Sequence, residues 1–243
     1  MLFDPPLQEV TIKRRYKRFL VETTLGSKSL TVHCPNTGTM ATCFQEGGKG
    51  YVSRSSNPKR KLSHTLEITQ IETPTKKAGT VDYVGVNTHL CNTLVEEALR
   101  EERIGPLRGY GDIQREKTYQ KSVRFDFYLS GHSHLPNTYL EVKNATLYDS
   151  EHNAVMFPDA VSVRGQKHLI HLMDVVSKGF GACLLFVVNR NRGTHFRPAD
   201  HIDPYYGELL RKAKDHGVMI LAYRTLIELP HGIAMNEAVT IQL

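Results

Sequence analysis

The chain has 243 residues, 40% hydrophobic and 23% charged, with a formal net charge of +6. That is ordinary for a soluble globular protein with room for one large domain or two modest ones. No apolar run reaches membrane-spanning length, and the basic run Lys13 to Arg18 leads into no long apolar segment, which argues against a membrane span and a signal peptide. Cys34, Cys43, Cys91 and Cys183 are scattered with no C-x-x-C pair. This argues against a structural zinc site and fits reduced thiols, so a cytoplasmic location with no membrane partner is expected.

The charge is unevenly placed. Residues 1–85 carry 13 Lys and Arg against 7 Asp and Glu, whereas residues 86–243 carry 18 of each. The basic excess therefore belongs to the N-terminal third, where a polyanion is the natural partner. A merely solvated basic surface would give the same count.

Residues 1–83 read as all-β. Strand-like runs at Val10 to Thr24, Ser29 to His33, Gly50 to Ser53 and Thr65 to Glu72 are separated by turn clusters at Pro35 to Gly38, Gly47 to Gly50 and Ser56 to Lys61. So many short strands suit a small barrel of OB type. In R-R-Y-K-R-F, Tyr16 and Phe19 interleave with Arg14, Arg15, Lys17 and Arg18, and Lys59, Arg60 and Lys61 form a second basic cluster. Aromatics that stack on bases and cations that track phosphates are how such surfaces hold single strands, so both clusters are nucleic-acid-binding candidates. The polar stretch Pro74 to Gly85 is read as the boundary.

Residues 84–243 change period. Thr88 to Arg103 has helical spacing. Strands are expected at Asp112 to Tyr119, Ser122 to Leu129 and Thr138 to Leu147. Helix over Ala160 to Lys178, the continuous apolar strand Ala182 to Val188, helix over Pro204 to His216 and strand Val218 to Arg224 complete an α-β-β-β-α-β-α-β order, an α/β domain with a mixed sheet.

The chemistry concentrates between Val123 and Lys143. Alternation puts Asp126 on the polar face of one strand, and Glu141 with Lys143 on the polar face of the next. If the two strands pair as a hairpin, two carboxylates and an amine converge. Magnesium prefers oxygen ligands and is typically held by one or two carboxylates plus the substrate phosphate. Asp126 and Glu141, with the Val142 carbonyl between Glu141 and Lys143, make such a set for Mg or Mn, and Lys143 could stabilise a charged transition state. A surface salt bridge between Glu141 and Lys143 is the plainer alternative.

Asp126 followed by E-V-K at Glu141 to Lys143, in this element order, resembles the PD-(D/E)xK nuclease superfamily, with Phe125 in place of the motif's proline. The resemblance implies a restriction-endonuclease-like fold, Asp126 and Glu141 as metal ligands, and Lys143 as the catalytic amine. It also suggests an acid from the first helix, Glu96 or Glu97. Gln166, three residues before Leu169, would lie over the site, with Lys167 and His168 near the phosphate. Further motifs run along nearly the whole chain. They include R-Y-K-R-F-L at Arg15, H-C-P-N-T-G-T-M at His33, R-F-D-F at Arg124, L-E-V-K-N-A-T-L at Leu140, F-P-D-A-V at Phe157 and R-G-Q-K-H-L at Arg164. Together they resemble the sugar fermentation stimulation protein A family. That resemblance implies an OB-like domain, a nuclease-like domain, DNA binding and a role in regulating sugar metabolism.

Other residues carry less. His132 and His134 fall in a turn without a third ligand, Asn36, Thr37 and Gly38 suit backbone donors to phosphate and a tight barrel turn equally well, Asp159 is at least as suited to a helix cap as to a ligand, and His168 and His171 suit surface or packing positions better than acid–base catalysis. Two functions follow as expectations: a metal-dependent phosphodiester hydrolase acting on nucleic acid, and a DNA-binding regulator that does not cleave. Oligomeric state is not legible.

Overall fold

The computed structural model describes residues 1–72, 81–120 and 123–243. The N-terminal part contains β1 (Gln8–Tyr16), β2 (Leu20–Leu25), β3 (Lys28–His33), β4 (Lys49–Arg54), β5 (His64–Glu72) and β6 (Val81–Gly85). The strand order is β3-β2-β1-β4-β5, and a parallel bridge from His33 to Thr65 joins β3 to β5 and closes a five-stranded OB barrel. Val10, Ile12, Val21, Val32, Val52 and Leu66 point inward by period-two alternation and form its core.

Two expectations change here. The run Val10 to Thr24 is a hairpin, β1 and β2, not one strand. It turns at Lys17 and Arg18, whose φ values of 48° and 64° are reached without the glycine that would have marked the turn. The stretch Pro74 to Gly85 ends in β6, which pairs antiparallel with β5, so a division at residue 83 falls inside a strand. The rest of that stretch, residues 74–80, lies outside the described residues, as does Ser122 at the start of an expected strand.

The second part contains α1 (Leu90–Arg100), β7 (Asp112–Gln120), β8 (Val123–Ser130), β9 (Thr138–Ala145), β10 (Leu147–Asp149), β11 (Ala154–Phe157) and α2 (Val163–Ser177). It continues with β12 (Gly181–Val188), β13 (His195–Pro198), α3 (Pro204–Asp215), β14 (Met219–Glu228), β15 (Gly232–Ala238) and β16 (Thr240–Ile241). The main sheet has the order β15-β14-β12-β9-β8-β7. Strands β9, β12 and β14 run parallel and the other pairs antiparallel, giving the expected mixed sheet. Strand β12 is apolar throughout because helices cover both of its faces. Leu94, Val95 and Ala98 of α1 meet Cys183, Leu185 and Val187 on one side, and Leu169, Leu172 and Val175 of α2 meet Leu184 and Phe186 on the other. A small sheet, β10-β11-β13-β16, lies outside the sequence reading, because strands of two to four residues show no period.

The two parts are tied at several points. Arg190, just after β12, forms a buried ion pair with Asp82 of β6, and its guanidinium lies 4.6 Å from the centre of the Tyr148 ring. Glu67 of β5 accepts from Asn87 Nδ2 at 2.7 Å at the entrance to α1. The segment before β1 lies along the second part: Leu2 bridges Gly232, Phe3 N donates to His231 O, and Leu7 N donates to Pro230 O. Among the described residues no helix is long and apolar enough to cross a membrane.

A candidate metal and phosphate site at a strand fork

Strands β8 and β9 pair only through Phe127–Leu140, Tyr128–Tyr139 and Leu129–Thr138. One residue further, they part. At the fork the Val142 amide, which has lost its ladder partner on that side, donates instead to Asp126 Oδ2 at 2.8 Å. Asn92 of α1 donates from Nδ2 to Asp126 Oδ1, also at 2.8 Å, so both carboxylate oxygens are fixed. The hairpin therefore brings Asp126 to Glu141 by opening at the point of contact.

Glu141 is 3% exposed. Its Oε1 accepts from Lys143 Nζ and from His168 Nδ1 of α2, and Oε2 has no hydrogen-bond partner among the described residues. Arg164 Nε donates to His168 Nε2 at 3.4 Å, so the imidazole ring links Arg164 to Glu141. Burial, and then the charge of Glu141, push the Asp126 carboxyl above its ordinary value. Burial pushes Glu141 the same way, but Lys143 and His168 outweigh it and hold its carboxyl below the ordinary value.

Asn92, Asp126, Glu141, Lys143 and Arg164 line a cleft of about 700 Å³ between the two parts of the molecule. Its far wall is the turn Asn36 to Gly38, together with Arg18 and Asp159. The turn is held by Arg15, whose guanidinium donates to the carbonyls of Asn36, Gly38 and Thr39, and by Thr88 Oγ1, which donates to Pro35 O at 2.7 Å. The donor chemistry fits a divalent cation: two neighbouring carboxylates, Glu141 buried with a free oxygen and Asp126 half-buried, and Asn144 Oδ1, a buried acceptor with no partner among the described residues, in the same cleft. Val142 lines the cleft too, and it is its amide that binds Asp126.

Several expected residues stand elsewhere. Gln166 is turned from the site, its Nε2 donating to Asp203 at 2.9 Å. The sheet-facing stripe of α2 is Gly165, His168, Leu169, Leu172 and Val175, and Gln166 sits on the flank towards α3. Glu96 pairs with Arg100 and Arg115, and Glu97 with Arg103 and the Met1 amine, so neither lines the cleft. Asn92, one helical turn before Glu96, is the α1 residue that reaches Asp126. His168, read as a phosphate contact or a packing residue, instead bonds Glu141. Asp159 lines the cleft, and the cap of α2 is Ser162, which accepts from Gly165 N at 3.1 Å.

The basic clusters are partly engaged. Arg14 is paired with Glu22 and stacks on Tyr16, and Arg15 is held by the turn. Arg60 Nη2 donates to Thr65 Oγ1 at 2.6 Å, while Lys59 and Lys61 are exposed on the β4–β5 loop. Lys17 and Arg18 project from the β1–β2 turn, and Arg18 reaches the cleft. His132 Nδ1 accepts from the amides of His134 and Leu135, a loop-holding role. One further cluster, Asp149, Glu151 and His152, has ligand atoms within 4.8 Å of one another, but none of the three lines the cleft.

Comparison with known proteins agrees with this architecture. Residues 14–78 match the SfsA N-terminal OB domain, and residues 89–230 match the sugar fermentation stimulation protein RE domain. The chain is 41% identical over 245 residues to a sugar fermentation stimulation protein homolog of Shewanella frigidimarina, each chain covered in full. It is 46% identical over 231 residues to a homolog of Alcanivorax borkumensis, with 93% of each covered. A solved structure, that of Pyrococcus furiosus SfsA in complex with Ca2+, superposes with a TM-score of 0.84 at 25% identity, covering 98% of this chain and 96% of that one. With both domain models matched and full-length relatives above 40% identity, the chain belongs to the sugar fermentation stimulation protein family.

Proposed function

We propose that this protein binds nucleic acid, with DNA the expected form, and holds a divalent cation at Asp126 and Glu141 for hydrolysis of a phosphodiester. The observation that carries the reading is the convergence of Asp126, Glu141 and Lys143 at the β8–β9 fork, in a cleft whose other wall belongs to the barrel. A bound ion, Mg or Mn by its oxygen-rich surroundings, would supply Lewis acidity to the phosphodiester and an activated water. Asn92 and the Val142 amide orient Asp126, and His168 with Arg164 orients Glu141. Lys143 brings a positive charge to the same carboxylate, where it can meet the charge developing on a phosphate. The calcium complex of the Pyrococcus furiosus relative supports cation binding in this family. Four free, buried cysteines fit the reducing cytoplasm.

A second reading is a DNA-binding regulator without cleavage. It is favoured by Lys143, whose Nζ is held by Glu141 and lies 3.4 Å from His168 Nδ1, an amine tied to protein instead of free for chemistry. One experiment separates the two. Labelled single- and double-stranded DNA and RNA are incubated with manganese or magnesium and the protein, or its Glu141→Ala, Lys143→Ala and Asp149→Ala variants. Cleavage lost with Glu141→Ala and Lys143→Ala but kept with Asp149→Ala supports the hydrolase. Equal binding by all four without cleavage supports the regulator, and calcium affinity lost only with Asp149→Ala moves the cation to the exposed cluster.

A further inference from the structure

A second groove, of about 920 Å³, lies beside the cleft, between α2 and the β7–β8 edge of the main sheet. Arg124, Arg164, Lys167 and His171 line it, and none of its lining residues is acidic among the described residues. That contrasts with the cleft, which Asp126, Glu141 and Asp159 line. Arg124 does pair with Glu116 at 3.1 Å, but both side chains are more than 60% exposed (62% and 63%), and such a pair is weak and easily exchanged for a phosphate.

The two hollows share a wall residue. Arg164 lines both, and His168, whose Nδ1 bonds Glu141, also lines the second groove. On the opposite side Arg18 lines both the cleft and a hollow on the barrel that Arg15, Tyr16, Lys17 and Phe44 surround. The fork is thus flanked by cations on both sides: an aromatic-containing hollow on the barrel, where Glu46 is the one acid beside Arg15, Lys17 and Arg18, and a groove along α2 that holds Arg124, Arg164 and Lys167 beside Thr118, Val123 and Val163. A site for a terminal phosphate needs one such flank. A strand that continues in both directions needs two.

We infer that a single polynucleotide strand crosses the fork from the barrel hollow to the α2 groove, so that the site takes internal phosphodiesters and requires no free end. This rests on the nucleic-acid reading above and extends it to the path and the kind of substrate. Arg124 and Lys167 contact phosphates in the outer groove, while Tyr16 and Phe44 offer faces to bases on the barrel side.

The test uses the full chain in calcium chloride and a fluorescent linear single-stranded DNA. Unlabelled linear DNA and a ligated circle of the same sequence compete for binding. The circle is expected to compete within about twofold of the linear strand. An Arg124→Ala/Lys167→Ala double variant, with the melting temperature of the parent, is expected to bind both several-fold more weakly, with a salt slope lower by about 1.4. Linear DNA that binds while the circle does not compete overturns the inference and leaves the nucleic-acid reading standing. A circle that competes while the double variant binds like the parent overturns the assignment of the groove. Failure of both DNAs to bind removes the underlying reading as well.

Discussion

Gly38 and Asp159 touch on the far wall of the cleft, and the carboxylate occupies the space where any other residue's Cβ would stand. The glycine's φ is not in the left-handed region, so its requirement is one of room and not of backbone freedom. Gly38→Ala is expected to displace Asp159 and cost about 1–3 kcal/mol, as small-to-large changes at packed contacts do. Adding Asp159→Ala should recover most of that loss in a thermal denaturation cycle. Two additive losses would show that the contact is not what makes the position restrictive.

Asn92 is the side chain that fixes Asp126 Oδ1. If Asp126 holds a cation, Asn92→Ala should weaken manganese or calcium binding by about 10- to 100-fold, the usual effect of removing a partner that orients a ligand. Gln166→Ala, which loses only a bond to Asp203, should leave that affinity alone. Calorimetric titration of the two variants decides it, and equal affinities would separate Asp126 from the metal.

Glu67 is buried, and burial lifts its carboxyl above the ordinary value against hydrogen bonds from Ser53 and Asn87. A carboxyl raised on folding binds its proton more tightly in the native state. Its contribution is therefore greatest in acid, below the unfolded value, and declines as pH rises through the folded one. Relative to Glu67→Gln, the parent should lose stability between acid and neutral pH. Urea midpoints across that range measure it, and a gap that does not change with pH contradicts it.

Arg190 and Asp82 form an ion pair that is 1% and 0% exposed. Arg190→Ala strands a buried carboxylate and should cost about 3–5 kcal/mol. The double change Asp82→Leu/Arg190→Met removes both charges and should be milder than the single one. Chemical denaturation gives both values, and a double variant as unstable as Arg190→Ala would mean that the pair is worth more than its burial costs.

How much of this was legible in the sequence depends on the length of the signal. The long apolar strand β12, the hairpin β8–β9 and the three helices announced themselves by period, and strand alternation placed Asp126, Glu141 and Lys143 on polar faces, while their spacing alone was a weak signal. The hairpin at Lys17 and Arg18 did not, because two cationic residues in left-handed geometry carry no turn signature. Gln166 was misplaced because a three-residue offset from Leu169 covers a wide arc of helix, and the stripe through Gly165, His168 and Leu169 leaves it on the flank. The role of Asn92, and the contact Asp159 makes, were hidden for a different reason. Their roles come from contacts with Asp126 and Gly38, partners 34 and about 120 positions away, which no local pattern encodes.

The strip from Leu2 to Leu7 leans on residues around Gly232 before the chain departs to build the barrel. Material made early in synthesis therefore finds its neighbours only when the far end of the polypeptide has emerged. Neither half is self-contained. Severing the chain between barrel and sheet would hand each fragment an edge that belongs to the other, so genetic dissection should keep this strip with the residues it rests on.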